Sequence, residues 1–384
     1  MRIAIVTTDG RELMRRYHEK VPAFGTAPEA LLQGFAQIPE IEVHVISCVR
    51  RLVVTPGKLH PNIFFHTSVV PKIGWLRTAY QGCIRAVRKK LKAIQPNIVH
   101  GQGTERDCAI SAVFSGFPNV VTIHGNMAEL ARLFHARIGS FAWLTGHLEK
   151  FTLRRTSGVL CNSIYTEGLV RERTPRTWLV PNPIRESFFS TPLPIRSSHP
   201  CILVNVGLIS ERKRQVELLE MADHLHENGL NFVLQFVGHA HANTSSYAAR
   251  FLDKIKIAEK AGYARYLGPK STAELIACFD QASALVHFPS EEAFGLVVAE
   301  GLARNLKFFG ARLGGISDIS AAVPNAELFA MNDWEGLAGA ISRWIAAGFP
   351  KPADAVNLMQ TRYAPQIIAR RHLEIYREVL SNFS

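Results

Sequence analysis

The chain has 384 residues, of which 47% are hydrophobic and 20% charged, so it is a folded globular protein too long for one ordinary core. No apolar run approaches the roughly 18 residues that cross a bilayer, and the short apolar N-terminus predicts a first strand, not a secretory signal. The net charge of +12 arises within residues 1–190, which contain 25 Lys and Arg against 13 Asp and Glu; residues 191–384 contain 19 of each.

The basic N-terminal half has two interpretations. It contacts an anionic membrane surface or an acidic acceptor, or its charge serves only solubility. Nucleic acid is disfavoured because the sequence lacks zinc-ligand spacing, stacking aromatics and a recognition-helix signature. Six cysteines lie at least 25 residues apart and form no Cys-x-x-Cys pair. They indicate reduced, mostly buried thiols of a cytoplasmic protein.

Short β-branched runs alternate with helical patterns through both halves, which predicts βαβ units and two doubly wound parallel sheets. The predicted strands of the first half are residues 2–7, 42–48, 63–69, 97–100, 120–123, 158–161 and 178–180. Those of the second half are residues 201–206, 231–237, 264–267, 284–288 and 306–309. Ligands of such folds normally bind outside the carboxyl ends of the strands, here in a cleft between two domains.

Prolines interrupt every periodic pattern near residues 187–200, which predicts the domain boundary there. We expect an acceptor-binding domain at 1–190, a nucleotide-binding domain at 191–364 and a closing helix at 365–384 that returns towards the N-terminal domain. Residues 74–95 also show helical spacing, with a ring of Arg and Lys around an apolar stripe. They predict either an interfacial helix on acidic lipid or a surface helix with a solvated basic face.

The segment EAFGLVVAE follows the predicted strand 284–288 and holds two glutamates, Glu292 and Glu300, separated by seven residues. Two carboxylates can serve as the acid and nucleophile of a glycoside hydrolase, or they can be ordinary surface acids. Gly295 between them permits close backbone approach, and a helix that starts there offers unpaired N–H groups to phosphate. The context favours binding of a sugar nucleotide.

This segment resembles the hallmark E-G-F-G-x-x-x-x-E of the retaining glycosyltransferases of family four, with Ala293 in place of the usual glycine. The resemblance implies the GT-B fold, in which two Rossmann-like doubly wound α/β domains face a central cleft. It further implies that Glu292 contacts hydroxyls of the transferred sugar and that Glu300 holds the ribose. Backbone amides around Phe294, Gly295 and Leu296 would face the diphosphate of the donor.

A second block, CILVNVGLISERK, resembles the family segment in which a strand ends in Gly-Arg-Leu and a lysine follows. Gly207 and Lys213 match, and the resemblance implies that Lys213 neutralises the donor diphosphate. Leu208 stands where the family has arginine. The loss of one charge-assisted phosphate contact costs about 1.5–3 kcal/mol unless Arg212 or Arg214 substitutes.

Three further blocks occur in the family's order. Gly25 and Thr26, with Glu29 following, resemble its glycine-rich loop before the first helix, where backbone N–H groups bind phosphate; an ordinary helix N-cap would look the same. VVTIHGN places His124 at a strand end, where the family's histidine reaches the donor sugar and acceptor. LGGISDI, within residues 311–319, resembles the donor-side wall.

Weaker candidates lie on the acceptor side. The segment IVHGQGTE resembles the family's acceptor-side lining and adds His100, Thr104 and Glu105. Val180 to Pro183 matches a turn that we interpret as structural. The pairs His224/His226 and His239/His241 have no accompanying ligand pattern and indicate surface histidines instead of zinc.

The sequence therefore predicts a retaining hexosyltransferase that needs no metal or other cofactor and takes a nucleotide diphosphate sugar as donor. His124 and Glu292 are the predicted catalytic residues; Gly25, Gly207, Lys213, Phe294, Gly295, Leu296 and Glu300 are predicted to bind the donor. The acceptor is a glycan, a lipid-linked sugar or a small molecule. We expect a cytoplasmic protein with peripheral contact to the inner membrane surface. A sugar-nucleotide epimerase or hydrolase of the same fold, or an inactive homologue that serves as a binding subunit, are the alternatives.

Overall fold

The computed structural model describes residues 1–193, 200–350 and 353–382. The chain forms two compact units: unit 1 contains Met1–Arg185 and Tyr363–Ser384, and unit 2 contains Glu186–Arg362. Of the predicted boundary segment, residues 194–199 lie outside the described residues, and Ser187–Ser190 form a short helix. All six cysteines are free and buried.

Unit 1 is built on an eight-stranded sheet in the order β3-β4-β2-β1-β5-β6-β7-β8. All neighbouring strands run parallel except β3, which pairs antiparallel with β4. The strands are β1 (Arg2–Val6), β2 (Glu42–Val49), β3 (Lys58–His60), β4 (Ile63–Val69), β5 (Ile98–Gln102), β6 (Asn119–Ile123), β7 (Val159–Cys161) and β8 (Thr177–Leu179).

Unit 2 holds a six-stranded parallel sheet in the order β11-β10-β9-β12-β13-β14. Its strands are β9 (Ile202–Val206), β10 (Val233–Val237), β11 (Ala264–Gly268), β12 (Ala284–His287), β13 (Lys307–Ala311) and β14 (Ala326–Phe329). In both sheets the strand order reverses beside the first strand, between β1 and β5 in unit 1 and between β9 and β12 in unit 2. Such switch points are where α/β sheets bind ligands.

Helices cover both faces of each sheet, so the strands are buried on both sides and read as continuous apolar runs. In the first half of the chain the helices are α1 (Gly10–Met14), α2 (Thr26–Ala36), α3 (Gln81–Ile94), α4 (Asp107–Val113), α5 (Met127–Leu133), α6 (Phe141–Leu153), α7 (Ile164–Val170) and α8 (Ser187–Ser190). In the second half they are α9 (Gln215–Glu227), α10 (Ser246–Ala261), α11 (Thr272–Gln281), α12 (Leu296–Ala303), α13 (Gly314–Ser320), α14 (Trp334–Ala346), α15 (Val356–Tyr363) and α16 (Pro365–Ser381).

The last helix, α16, packs in unit 1 against α2. Gly34 makes this contact possible, because a Cβ at that position would lie 2.1 Å from the carbonyl oxygen of Pro365. Alternate residues of the strands divide between two cores. Ile3 and Ile5 of β1 face the core that contains α2 and α16, whereas Ala4 and Val6 face the core that contains α3 and α4.

The structure corrects the predicted elements in three places. Strands β3 and β14 were not predicted, because one is short and exposed and the other is short and half-buried. The helix predicted at 74–95 begins only at Gln81. Two 3₁₀ turns precede it, and Ala79 and Tyr80 have φ of +46° and +60°, which a continuous right-handed helix cannot contain.

Candidate functional site

The candidate site of unit 2 lies at the carboxyl ends of β9 and β12, the switch point of its sheet. β9 ends at Val206, and the loop that starts at Gly207 is fixed by the buried side chain of Gln215. Its amide donates to the carbonyl of Leu208 at 3.1 Å and its oxygen accepts from the backbone N–H of Ser210 at 3.2 Å. Two hydrogen bonds from one buried side chain therefore hold the Gly207 loop in a defined shape.

A cation, a carboxylate and an imidazole meet where this loop approaches the segment after β12. The ammonium group of Lys213 forms an ion pair with Glu292, and both side chains are 12% exposed. Nε2 of His287, the last residue of β12, lies 3.2 Å from the same carboxylate oxygen. Nδ1 of His287 is buried and has no hydrogen-bond partner in the described part of the chain.

The electrostatics of this cluster keep Glu292 ionised. Burial alone would raise the pKa of Glu292, but the charge of Lys213 and the hydrogen bond with His287 outweigh burial and hold that pKa far below its usual range. Burial, aided by the charge of Lys213, lowers the pKa of His287 to about 4. At neutral pH the cluster is therefore a lysine cation, a carboxylate and a neutral imidazole.

The two arginines that could substitute for the missing family arginine, Arg212 and Arg214, both have other partners. Arg212 donates at 3.0 Å to the carbonyl and to the carboxylate of Glu291. Arg214 donates to the carbonyl of Met331 at 2.7 Å and lies over the ring of Trp334, 5.0 Å from its centroid. Of the two, only Arg212 lies beside the Glu292 segment. Leu208, at the position of the family arginine, is half exposed.

The segment after Glu292 opens α12 as the sequence predicts. Gly295 has φ of +93°, a conformation that disfavours any residue with a Cβ, and none of the described side chains caps the helix. Phe294 is buried, whereas Leu296, the first residue of α12, is partly exposed. The first turn therefore offers backbone N–H groups and the positive end of the helix dipole to an anion.

The two remaining predicted donor-side elements are Glu300 and the LGGISDI block. Glu300 lies in the second turn of α12 with only 3% of its surface exposed. The LGGISDI block forms α13 and packs directly against the Glu292 segment. A Cβ on Gly315 would lie 2.5 Å from both Cα and the carbonyl oxygen of Phe294, and the Gly315 N–H donates to the Glu292 carbonyl at 3.3 Å.

In unit 1, His124 follows the carboxyl end of β6 and is held from two sides. Its Nε2 lies 2.8 Å from Oε1 of Gln102, and its ring also bonds to the side chain of Asn182. An amide oxygen only accepts, so Nε2 carries the proton. Burial lowers the pKa of His124 to about 4, so the imidazole is neutral at pH 7. A neutral imidazole can form a hydrogen bond with a hydroxyl, but it carries no positive charge.

Glu105 lies beside His124 in the loop after β5. The backbone N–H of Gly125 donates to Glu105 at 3.1 Å. A Cβ on Gly103 would lie 2.2 Å from the Glu105 carboxylate and 3.5 Å from the His124 ring, so both side chains border the same backbone. Burial raises the pKa of Glu105 to about 7.

Thr104 and His100 have structural environments. Thr104 donates at 2.5 Å to the buried carboxylate of Glu149, which also accepts the backbone N–H groups of Met127 and Ala128 at the start of α5. His100 is fully buried, 2.5 Å from the hydroxyl of Tyr376 and 2.7 Å from that of Thr122. Both side chains are buried and hydrogen-bonded within unit 1.

Gly25 immediately precedes α2, as predicted, but its conformation is ordinary. It is exposed, its φ is −62°, and a Cβ there would meet nothing closer than 3.6 Å. Pro28 occupies the third position of the helix and has no N–H to offer, which leaves Thr26 and Ala27 as donors. In α12 the third N–H, that of Val298, donates to the Gly295 carbonyl at 2.8 Å, so the two turns differ in the conformation of the residue before the helix and not in the number of N–H groups they present.

The structure adds His287 and Asn182 to the residues that the sequence singled out. His287 could have been noticed as a histidine at the end of a buried strand, five residues before Glu292. Asn182 belongs to the Pro-Asn-Pro turn that we interpreted as structural, and its side chain bonds to His124.

Within the described ranges, no helix is long and apolar enough to cross a membrane.

Comparisons with known proteins agree with the two-unit architecture. The family model described as "Glycosyltransferase Family 4" matches residues 29–188, and that described as "Glycosyl transferases group 1" matches residues 194–357. No curated protein gives a significant sequence match.

Among solved structures, a sucrose-phosphate synthase from Thermosynechococcus elongatus superposes with a TM-score of 0.77 at 16% identity, over 100% of both chains. Anabaena HepE, crystallised with UDP and glucose, superposes with a TM-score of 0.69 at 15% identity over 98% of this chain and 100% of its own. The lipopolysaccharide outer core galactosyltransferase WaaB gives a TM-score of 0.68 at 15% identity, again over 98% and 100%. At these identities the likeness is one of fold.

Proposed function

Since the chain belongs to the family-four, group 1 glycosyltransferases of GT-B fold, which use nucleotide-sugar donors, we propose that it is a retaining, metal-independent hexosyltransferase. The observation that carries this proposal is the Lys213–Glu292–His287 cluster beside the uncapped start of α12. It combines a phosphate-binding cation, a permanently ionised hydrogen-bond acceptor and a helix N-terminus at one switch point.

The donor diphosphate would bind to Lys213 and to backbone N–H groups at the start of α12. Lysine and helix N–H groups together stabilise the charge that develops on a departing diphosphate. This arrangement supplies from the protein the positive charge that other transferases take from a metal ion. Arg212 is the second cation beside the segment, although its bond with Glu291 must loosen before it can reach a phosphate.

Glu292 would accept hydrogen bonds from hydroxyls of the transferred sugar. Because its pKa lies far below its usual range, the carboxyl carries no proton to donate at physiological pH. This argues against the general-acid role of a glycosidase carboxyl. We assign the ribose hydroxyls to Glu300, which requires the ligand to reach a carboxylate that is 3% exposed.

For the chemical step we propose reaction on one face of the sugar, with the departing phosphate taking the proton of the acceptor hydroxyl. The protein then contributes alignment and charge stabilisation, and no covalent intermediate on a side chain is needed. His124, neutral and fixed by Gln102 and Asn182, would hydrogen-bond a hydroxyl of the donor sugar or the acceptor. The acceptor is a glycan, a lipid-linked sugar or a small molecule bound by unit 1.

We further propose that the protein works in the cytoplasm, in peripheral contact with the inner membrane surface through its basic half. The reduced state of its six buried cysteines and the excess of 12 positive charges in residues 1–190 support this placement.

A donor panel tests the function directly. HepE was crystallised with UDP-glucose, so UDP-glucose is the first donor to try, followed by UDP-galactose and GDP-mannose. A donor that raises the melting temperature and is slowly hydrolysed without acceptor supports the transferase. A donor panel in which nothing binds by calorimetry would contradict it, and epimerised donor would instead identify an epimerase.

A further inference from the structure

Unit 1 contains a cavity of about 360 Å³ that none of the residues assigned above lines. It lies at the carboxyl ends of β1, β2, β4 and β5, so it straddles the switch point of the first sheet. Its polar lining consists of Glu12, Arg15, Arg50, Tyr80 and Arg106, and Trp75 and Phe141 add aromatic surface. The volume is within the range of small-molecule sites.

One buried carboxylate organises this lining. Glu12 accepts hydrogen bonds from the Tyr17 hydroxyl at 3.0 Å and from the backbone N–H of Arg50 at 2.8 Å. The guanidinium groups of Arg50 and Arg106 lie 3.5 and 3.9 Å from its other oxygen. Both guanidinium groups also lie about 5 Å from the centroid of the Trp75 ring, which holds their orientation.

These arginines retain hydrogen-bonding capacity. The Arg106 side chain is only 16% exposed, yet no residue in the described part of the chain accepts a hydrogen bond from its guanidinium group. Arg15 lines the cavity without an ion pair to any described residue. Tyr80 adds a hydroxyl whose pKa burial raises, so it keeps its proton and can donate.

The charges of the lining have the sign that attracts an anion. Three arginines face one glutamate, and the buried carboxyl of Asp107 lies next to Arg106 and Tyr80, so the lining keeps an excess of positive charge. A phosphate monoester carries between about 1.5 and 2 negative charges at neutral pH, and guanidinium forks match its oxygens bidentately. A neutral sugar would leave this positive charge uncompensated.

We propose that this cavity binds the phosphate group of a phosphorylated acceptor, with Arg15, Arg50 and Arg106 as its ligands. The proposal rests on the transferase function, since it names the acceptor class of that enzyme. The phosphate is carried either by a soluble sugar phosphate or by a phospholipid-like carrier, and the two share the same binding chemistry.

The test uses the full-length protein and titration calorimetry. Hexose 6-phosphates, hexose 1-phosphates and the corresponding neutral hexoses are compared in the wild type and in Arg15→Gln, Arg106→Gln and Arg77→Gln. Arg77 is exposed on the same surface segment as Trp75 but does not line the cavity, so it is the matched control. Arg15 forms no ion pair with any residue that the structure describes, so Arg15→Gln keeps the test valid if Arg106→Gln fails to fold.

We expect at least one hexose phosphate to bind about 10-fold or more tightly than its neutral hexose, the gain typical of a charge-assisted contact. Arg15→Gln and Arg106→Gln should weaken that binding at least about fivefold, and Arg77→Gln less than about twofold. If only phosphatidic acid vesicles show this dependence on Arg15 and Arg106, with phosphatidylcholine vesicles unbound, the phosphate belongs to a lipid carrier. Equal binding of phosphorylated and neutral ligands, or equal losses in all three variants, would overturn the proposal.

The donor is measured in parallel, which separates this inference from the function on which it rests. Donor binding and hydrolysis that persist without discrimination for phosphate refute the acceptor class alone. Arginine-dependent phosphate binding without any donor binding would refute the transferase and leave the phosphate site.

Discussion

Replacing Lys213 with methionine removes the cation that pairs with Glu292 while keeping most of the side chain's volume. Both partners are 12% exposed, so the carboxylate left behind is largely desolvated. Loss of one partner of a buried pair costs about 3–5 kcal/mol of folding stability. Here we expect the lower end, about 3 kcal/mol or less, because His287 contacts the same oxygen and can take up a proton.

The same substitution should weaken donor binding by a different amount. One charge-assisted hydrogen bond to phosphate contributes about 1.5–3 kcal/mol, which corresponds to a loss of affinity of about 10- to 150-fold. Chemical denaturation measures the loss of folding stability. Calorimetry with the best donor of the panel measures the loss of donor affinity. Adding Glu292→Gln should recover stability, because the unpaired charge is gone, without recovering donor affinity.

Lys254→Met is the matched control. Lys254 also forms an ion pair in unit 2, with Glu220 at 3.0 Å, but both side chains are more than 40% exposed. Its loss should cost less than about 1 kcal/mol and leave donor affinity unchanged. Donor affinity that is unaltered in Lys213→Met would refute the assignment of Lys213 to the diphosphate.

Three further predictions follow from individual contacts. Leu208→Arg restores the family's second cation at a half-exposed position and should raise donor affinity about 10-fold in calorimetry; an unchanged affinity would mean that this loop does not reach the phosphate. Gly315→Ala places a Cβ 2.5 Å from the Phe294 backbone, so it should lower the melting temperature and weaken donor binding. Gly168→Ala, in a helix with open space around it, should be neutral or stabilising, and equal effects would disprove the steric argument. Glu105 has a pKa of about 7, above its unfolded value, so its contribution to stability is present below about pH 4.5 and is lost as pH rises through 7. Glu105→Gln should therefore match the wild type at pH 4.5 and be more stable by about 1–3 kcal/mol at pH 8 in urea denaturation; a pH-independent difference would contradict the raised pKa.

The sequence predicted the sheets well because their strands are buried on both faces. Each of the twelve predicted strands overlaps an observed one, from β1 to β13. The two strands and the helix start that the sequence did not predict have local causes. Lys58–His60 and Ala326–Phe329 are too short and too exposed to give an apolar run, and the left-handed Ala79 and Tyr80 interrupt a segment whose apolar spacing is otherwise helical.

The candidate site was predictable residue by residue but not as an arrangement. Lys213 and Glu292 each match a family motif, yet their ion pair joins residues 79 positions apart and depends on β9 and β12 being neighbours. His287 carries no sequence signal beyond its place at a strand end. The engagement of Arg212 by Glu291 likewise follows only from the folded loops.

The cavity of unit 1 that we propose for the acceptor phosphate could not be predicted from the sequence either. Arg15, Arg50 and Arg106 contribute to a charge excess that the sequence already shows, but they come from three different loops. Their convergence on Glu12 and Trp75 requires the parallel order of the sheet, which brings the ends of these strands to one edge.

We propose above that the chain transfers a sugar with retention and without a metal ion. The most direct measurement is proton NMR of the first sugar product formed from an α-linked donor, by hydrolysis or transfer, in the presence of EDTA. We expect an α-anomer at an undiminished rate, and an activity that Lys213→Met greatly reduces. A β-anomer as the first product, or activity that disappears with EDTA and returns with a divalent cation, would contradict it.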